Sequence, residues 1–422
     1  MAEALEAGPR LNPAITALFG AAAASVQGKP AGGGLPFWAY IVAALIVFFC
    51  FNYYGKVYWT LETPANIKTR LRSFTDKFNV YGDQRSSRKG LLQYLADLRA
   101  AGVPDSNFAL TNFHVCSANT AATFTPVRDG IVSPDAVRLA LAAGARYLDF
   151  TIWSGGAATN HAPFIAEMDI ASKWRRITMN QMGFRAAMDA VQAYGIAGPM
   201  ASADTNQAPY ANDPLFIMLR FMGTQKPTTF DQVADALTNT IEPFRLDFSY
   251  YSARGMDKLF KTPITQFANK VIIMTNTYPP TGSALSDYIN IGPRSSFPLE
   301  MSYAEVLGTP EANKAAVRAK IQQNLVVMRS SMDEPIGDTN ITSNFLSAHA
   351  LGIHFATINF WSQDTFLAEY RKPTMFGVNS FKIKAPEMRY IIEYVAPPGV
   401  PDPALNARDG KPSAPPGIIL PV

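Results

Sequence analysis

FHVCSANTAATFTPVRDGIVSPDAVRLALAAGARYLDFTIWSG, residues 113–155, carries the signal that decides the fold. Its first apolar stretch belongs to a strand candidate, Ala109–Cys116. Ser133 followed by Pro134 is a helix start, because a serine caps orphan backbone N–H groups and proline suits the first helical position. Ala136–Ala143 continues that helix and Gly144 ends it. Arg146–Trp153, RYLDFTIW, is rich in aromatic and β-branched residues and reads as the next strand. Strand, helix, strand implies two parallel strands joined by a crossover.

The alternation continues downstream. Leu215–Phe221, Val271–Asn276, Leu325–Met328 and Phe355–Phe360 read as strands. Met179–Tyr194, Phe230–Leu237 and Pro310–Gln323 read as helices between them. The class is α/β, and the count favours a closed TIM-type (β/α) barrel over residues 108–395. In such a barrel, chemistry collects at the C-terminal strand ends. Residues Ser117–Thr120, Asp149, Thr151 and Arg220 occupy those places.

Composition narrows the function. The chain has 422 residues, and 37 Lys+Arg against 33 Asp+Glu give a net charge of +4. The positive charges form no long run, which argues against a nucleic-acid partner. Two cysteines, Cys50 and Cys116, argue against a disulfide framework or a zinc site and for a reducing compartment. Lys173, Arg175 and Arg176 are the densest basic cluster, and they read as a solvated face before a lipid-phosphate contact. His114 reads as a packed core histidine, and His349 and His354 as a metal pair only secondarily.

Outside the barrel the chain divides into four parts. Residues 1–34 are an Ala/Gly-rich tail. Residues 35–55 contain LPFWAYIVAALIVFFCFNYY, twenty residues without a charge (35–54). At ~1.5 Å rise per residue they span ~30 Å, the hydrocarbon thickness of a bilayer. Phe37, Trp38 and Tyr40 at one end, Tyr53 and Tyr54 at the other, and Phe48, Phe49 and Phe51 between them make the expected membrane anchor. Lys56, Lys68, Arg70 and Arg72 follow it, against Lys29 alone before it, so the C-terminal domain is expected on the cytosolic side. Glycosylation found at the sequon Asn340-Ile341-Thr342 would show that orientation to be wrong. Residues 56–107 form a connector with a helix near Lys89–Ala101, whose Leu91, Leu92, Leu95 and Leu98 share a face. Residues 396–422 hold eight prolines and read as an extended arm.

The segments also resemble a known family, the phosphoinositide-specific phospholipases C. Ser117-Ala118-Asn119-Thr120 resembles the family's Ser-His-Asn-Thr motif. Leu141–Arg146 resembles its LxxGxR helix end, and Asp149–Gly155 its Glu-Leu-Asp-Cys-Trp-Asp-Gly strand. Pro335–Phe345, Phe355–Asp364 and Ser380–Arg389 resemble segments of the second half. The X-like half covers residues 108–280 and the Y-like half 330–395. Tyr147–Phe150, Asp213–Arg220 and Lys270–Ile273 are closer still to phospholipase-C-like proteins of large nucleocytoplasmic DNA viruses.

That resemblance implies a site in which the catalytic groups are replaced. The family uses two histidines as general base and acid. Their counterparts here are Ala118 and Glu167, with His161 nearby in sequence. Asn119 and Asp149 keep the chemistry of metal ligands, whereas Thr151 and Arg220 stand where carboxylates would bind calcium. Thr339 stands where an arginine would hold phosphate. No cofactor is therefore expected. Asp149 and Arg220 are expected to pair as buried ions, the alternative being an Arg220 that faces solvent. The implied function is a catalytically inactive structural protein of a large DNA virus, a minor capsid protein between inner membrane and shell, with the bilayer and other virion proteins as partners. The alternatives are an active phosphodiesterase and a silent phosphoinositide-binding module.

Overall fold

Leu215–Phe221, LFIMLRF, has no polar-apolar alternation, which is the pattern of a strand buried on both faces. In the computed structural model it lies at the centre of a parallel array. The structure describes residues 42–50, 52, 89–124, 130–169, 175, 176, 178, 180–196, 211–251, 258–293, 299–329, 342–361 and 365–390. The chain divides into two units, Met1–Ile67 and Lys68–Val422.

In the first unit, residues 42–50 are helical and Val42, Leu45, Ile46, Val47, Phe48 and Phe49 are exposed. Phe37, Trp38, Tyr40, Phe51, Tyr53 and Tyr54 lie outside the described residues. Among the described residues no helix is long and apolar enough to cross a membrane.

Among the described residues of the second unit, eight of the strands build the parallel array. They are β1 (Ser117–Ala118), β2 (Tyr147–Ser154), β3 (Leu215–Phe221), β4 (Val271–Thr275), β5 (Ile289–Ile291), β6 (Glu300–Ser302), β7 (Val327–Arg329) and β8 (Phe355–Ala356). Parallel pairing joins β1 to β2, β2 to β3, β3 to β4 and β4 to β5. It also joins β6 to β7 and β7 to β8. A parallel bridge between Ala118 and Ile358 connects the β8 end back to β1. No pairing joins β5 to β6 among the described residues. Among the described residues the eight strands therefore form an arc with no closed ladder between β5 and β6, and the expected closed barrel is not observed.

Strand alternation sorts the side chains into two cores. Tyr147, Phe216, Met218, Ile272, Met274, Val327 and Phe355 fill the inner one. Leu148, Phe150, Ile152, Ile217 and Leu219 face outward against the helices. The helix Pro134–Ala142 starts as its sequence requires, with Ser133 Oγ accepting from Asp135 N–H at 3.2 Å. It ends at Gly144, whose φ of +98° suits glycine.

Several boundaries differ from expectation. The strand expected at Ala109–Cys116 is Phe113–Val115, preceded by a 3₁₀ turn at Leu110–Asn112. The helix expected from Met179 is Phe184–Gly195, because Met182–Gly183 pairs with Pro163–Ile165 as strand. In the helix Leu91–Ala100, Leu91 and Leu95 are buried, but Leu92 is 57% exposed and lies off their face.

Candidate functional site

The inward-facing row of β2 carries Tyr147, Asp149 and Thr151, and that of β3 carries Phe216, Met218 and Arg220. Apolar residues occupy the lower layers of both rows. The polar ones gather at the C-terminal end, where Thr151 is level with Arg220. From there the guanidinium reaches back one layer. Arg220 Nη2 donates to Asp149 Oδ2 at 2.8 Å and Nε to Oδ1 at 3.2 Å, a bidentate pair. Arg220 is 1% exposed and Asp149 0%. Arg220 Nη1 also contacts the Glu300 carboxylate at 2.5 Å. Arg329, at the end of β7, brings its Nε to 3.8 Å from Asp149 Oδ2. Four strands thus supply two acids and two bases to one end of the inner core.

Burial works against the charge on Arg220, but the Asp149 and Glu300 carboxylates outweigh it and hold the guanidinium protonated. Glu167 behaves in the opposite sense. It is buried just beyond the strand Pro163–Ile165, and its Oε2 accepts from Thr151 Oγ1 at 3.2 Å. Burial pushes its carboxyl up to about 7, against the nearby positive charge of Arg329.

That shift predicts a pH-dependent substitution. Glu167 stays protonated in the fold up to about pH 7 but ionises near 4.5 when exposed. Its penalty on folding therefore grows as pH rises from 4.5 and levels off above 7. Glu167→Gln is expected to leave the denaturation midpoint unchanged at pH 4 and to stabilise at pH 8 by roughly 3 kcal/mol. Urea titrations at the two pH values check this.

Ala118 is buried at the end of β1 and offers only a methyl group. Asn119 donates its backbone N–H to Ile358 O at 2.8 Å, while its buried Oδ1 has no partner among the described residues. Thr120 has φ +41°, a left-handed conformation costly for a β-branched residue, by ~1–3 kcal/mol. Two hydrogen bonds fix that turn, Ala121 N–H to Asp149 O at 3.0 Å and Thr123 N–H to Thr120 O at 2.8 Å. His161 turns away from these groups, and its Nδ1 lies 3.0 Å from Gly155 O in a surface turn. Thr339 and Lys173 lie outside the described residues.

The donor set does not fit calcium. Asn119, Asp149 and Thr151 offer oxygens, but both Asp149 oxygens already face the Arg220 guanidinium. A dication placed there would meet that fixed positive charge at contact distance, a repulsion of several kcal/mol.

No family model matches the sequence, and no curated protein does. Solved structures do match. The PLC21 protein of L. pealei superposes with a TM-score of 0.52 at 12% identity, over 69% of this chain and 39% of that one. The PLC21 protein of S. officinalis gives 0.51 at 13% identity, over 70% and 39%. The fold is phospholipase C-like. A calcium-dependent phosphoinositol-specific phospholipase C from Pseudomonas is a more distant match, with a TM-score of 0.37 at 10% identity, over 62% of this chain and 95% of that one. The chain spans about two fifths of the length of each PLC21 protein. At these identities the likeness concerns the fold and not the residues in the mouth.

The structure brings together Asp149, Thr151, Glu167 and Arg220, whereas Ala118 is in register with outward-facing Leu148 and packs in the outer core. It adds Glu300 and Arg329, which the sequence reading did not select. Arg329 had a visible signal. Both LFIMLR (Leu215–Arg220) and LVVMR (Leu325–Arg329) are apolar runs ending in arginine. Glu300 had none, since β6 is only three residues long.

Proposed function

We propose that this protein is a membrane-anchored phospholipase-C-like scaffold without phosphodiesterase activity, acting as a structural component of a large DNA virus. The observation that carries the reading is the bidentate Arg220–Asp149 pair in the mouth of the strand array. It occupies the acid that a metal-dependent mechanism would need, and Ala118 supplies no proton-transferring group. Loss of one general base or acid costs roughly 10²–10⁴ in rate, and here the pair of histidines and the metal position are altered together. The charge-free segment 35–54 supports an anchor. The likeness of Tyr147–Phe150, Asp213–Arg220 and Lys270–Ile273 to viral relatives supports a place beneath a capsid shell, facing the inner virion membrane. No cofactor and no nucleic acid enter this reading.

The test is hydrolysis of phosphatidylinositol vesicles by the full chain, with calcium and with chelator. No turnover above the vesicle background is expected in either. Turnover abolished by Asp149→Asn would overturn the reading. Glu167 favours one second reading. A buried carboxyl that titrates near neutrality is a fit general acid. Under that reading an active phosphodiesterase loses its turnover in Glu167→Gln, which the same assay resolves.

A further inference from the structure

A second polar cluster lies at the opposite, N-terminal end of the strands, and the proposed function does not use it. Phe113–Val115 pairs antiparallel with Phe381–Ile383, so that the beginning and the end of the described domain clasp each other. Cys116 N–H to Ser380 O at 2.8 Å and Lys384 N–H to Asn112 O at 2.9 Å extend the clasp on both sides. Beneath it sit His114, His349, His354 and Lys384.

The geometry of this floor is close. The His114 and His349 rings stack at 3.9 Å with an 8° interplanar angle. Phe345 covers the His349 ring at 4.0 Å. His354 Nδ1 accepts from Val326 N–H at 3.2 Å, which leaves its proton on Nε2, 2.8 Å from Thr111 O. Lys384 Nζ lies 2.6 Å from that same nitrogen. His114 Nδ1 lies 2.7 Å from Ile353 O. His114, His354 and Lys384 are buried, while His349 is half-buried in the last turn of the helix Thr342–Leu351.

The charges that bear on these groups are their own and that of Lys382, which is opposite His114 in the clasp. Arg389 and Glu387 lie further along the same strand end, where Arg389 Nε donates to Lys384 O. No carboxylate pairs with any of the four among the described residues. Protonating this floor therefore puts several like charges side by side with no counter-ion, which a low-dielectric interior resists.

We propose that the floor is an acid-sensitive latch: proton uptake by His349, His114 and His354 opens the pairing of Phe113–Val115 with Phe381–Ile383 and frees the chain from Ser380 onward. Half-buried His349, the least buried of the three histidines, is the point of entry. Once it is charged, its stacked partner cannot be charged without separation.

The sign follows from burial, which pushes all three histidines down in the closed state. Open histidines titrate near 6.5, so the latch holds above that pH and weakens progressively below it. At pH 5.0 each histidine that charges only on opening favours the open form by about thirtyfold.

Hydrogen exchange of the full chain in detergent micelles, read by mass spectrometry at pH 7.5 and 5.0 and corrected for intrinsic rates, tests the latch. Peptides covering 108–116 and 380–390 are expected to lose protection by at least about tenfold at pH 5.0, while 147–154 and 215–221 keep theirs. The variant His114→Phe/His349→Phe keeps the aromatic stack without titrating and should shrink the loss. Should that double variant fail to fold, His349→Phe alone carries the comparison, because its ring already lies against Phe345. Equal loss across all peptides, no loss at all, or an undiminished loss in these variants would overturn the proposal.

Discussion

Arg220→Leu is expected to lower the unfolding free energy by about 3–5 kcal/mol, read as a fall in the urea midpoint of the full chain. Most of that cost does not come from the attraction it removes. It comes from Asp149, fully buried and left, among the described residues, with the Arg329 Nε at 3.8 Å. A stranded buried carboxylate must be paired, hydrated or protonated, and the strand packing allows none of these cheaply. Two further results follow. Asp149→Leu should cost less than Arg220→Leu, because Glu300 still holds the guanidinium at 2.5 Å and is itself partly exposed. The double variant Arg220→Leu/Asp149→Leu should recover most of the loss, since well-packed apolar groups often replace a buried ion pair with little cost. A neutral effect of Arg220→Leu on melting would mean that the pair does not close the mouth.

The elements legible in the sequence were those whose own residues determine them. LFIMLRF is a strand at the bounds expected, because seven buried residues in a row suit little else. Ser133-Pro134 starts a helix as expected, because capping is a local interaction. β5 and β6 were not seen. Each is three residues long, and each exists only because a neighbour offers a ladder. β1 lies just past the strand expected to end at Cys116, and its two residues hold their place by pairing with Tyr147 and Leu148. A strand count says nothing about closure, and no ladder joins β5 to β6 among the described residues.

The mouth was half legible. Asp149 and Arg220 lie on strands whose inward faces follow from alternation, so their encounter was predictable from two registers. Glu300 was not, since it arrives on a three-residue strand across the array, whereas Arg329 ends an apolar run as Arg220 does. The histidines show the opposite case. His114 reads correctly as a core residue, but its stack on His349 joins residues over two hundred positions apart, which no local pattern records. His349 and His354, weighed as a metal pair, instead contact different partners, a ring and a lysine.

Deleting residues 35–55 is expected to shift the protein wholly from the alkali-resistant membrane fraction to the soluble one. The described helix of residues 42–50 presents Val42, Leu45, Ile46, Val47, Phe48 and Phe49 outward, a surface with no reason to face water. At ~1.5 Å per residue that helix alone covers roughly half of a bilayer core, so the anchor requires the flanking apolar residues as well. Ten Leu, Ile, Val and Phe side chains lie between Leu35 and Phe51. At about −0.3 to −0.6 kcal/mol each they favour insertion by roughly 3–6 kcal/mol. Two arginines placed mid-segment, Leu45→Arg with Val47→Arg, cost about 5–7 kcal/mol together. This double substitution should therefore release the protein nearly as completely as the deletion, with the domain still folded by circular dichroism. Full retention of the deletion variant on membranes would mean that residues 35–55 pack against protein and that the attachment lies elsewhere.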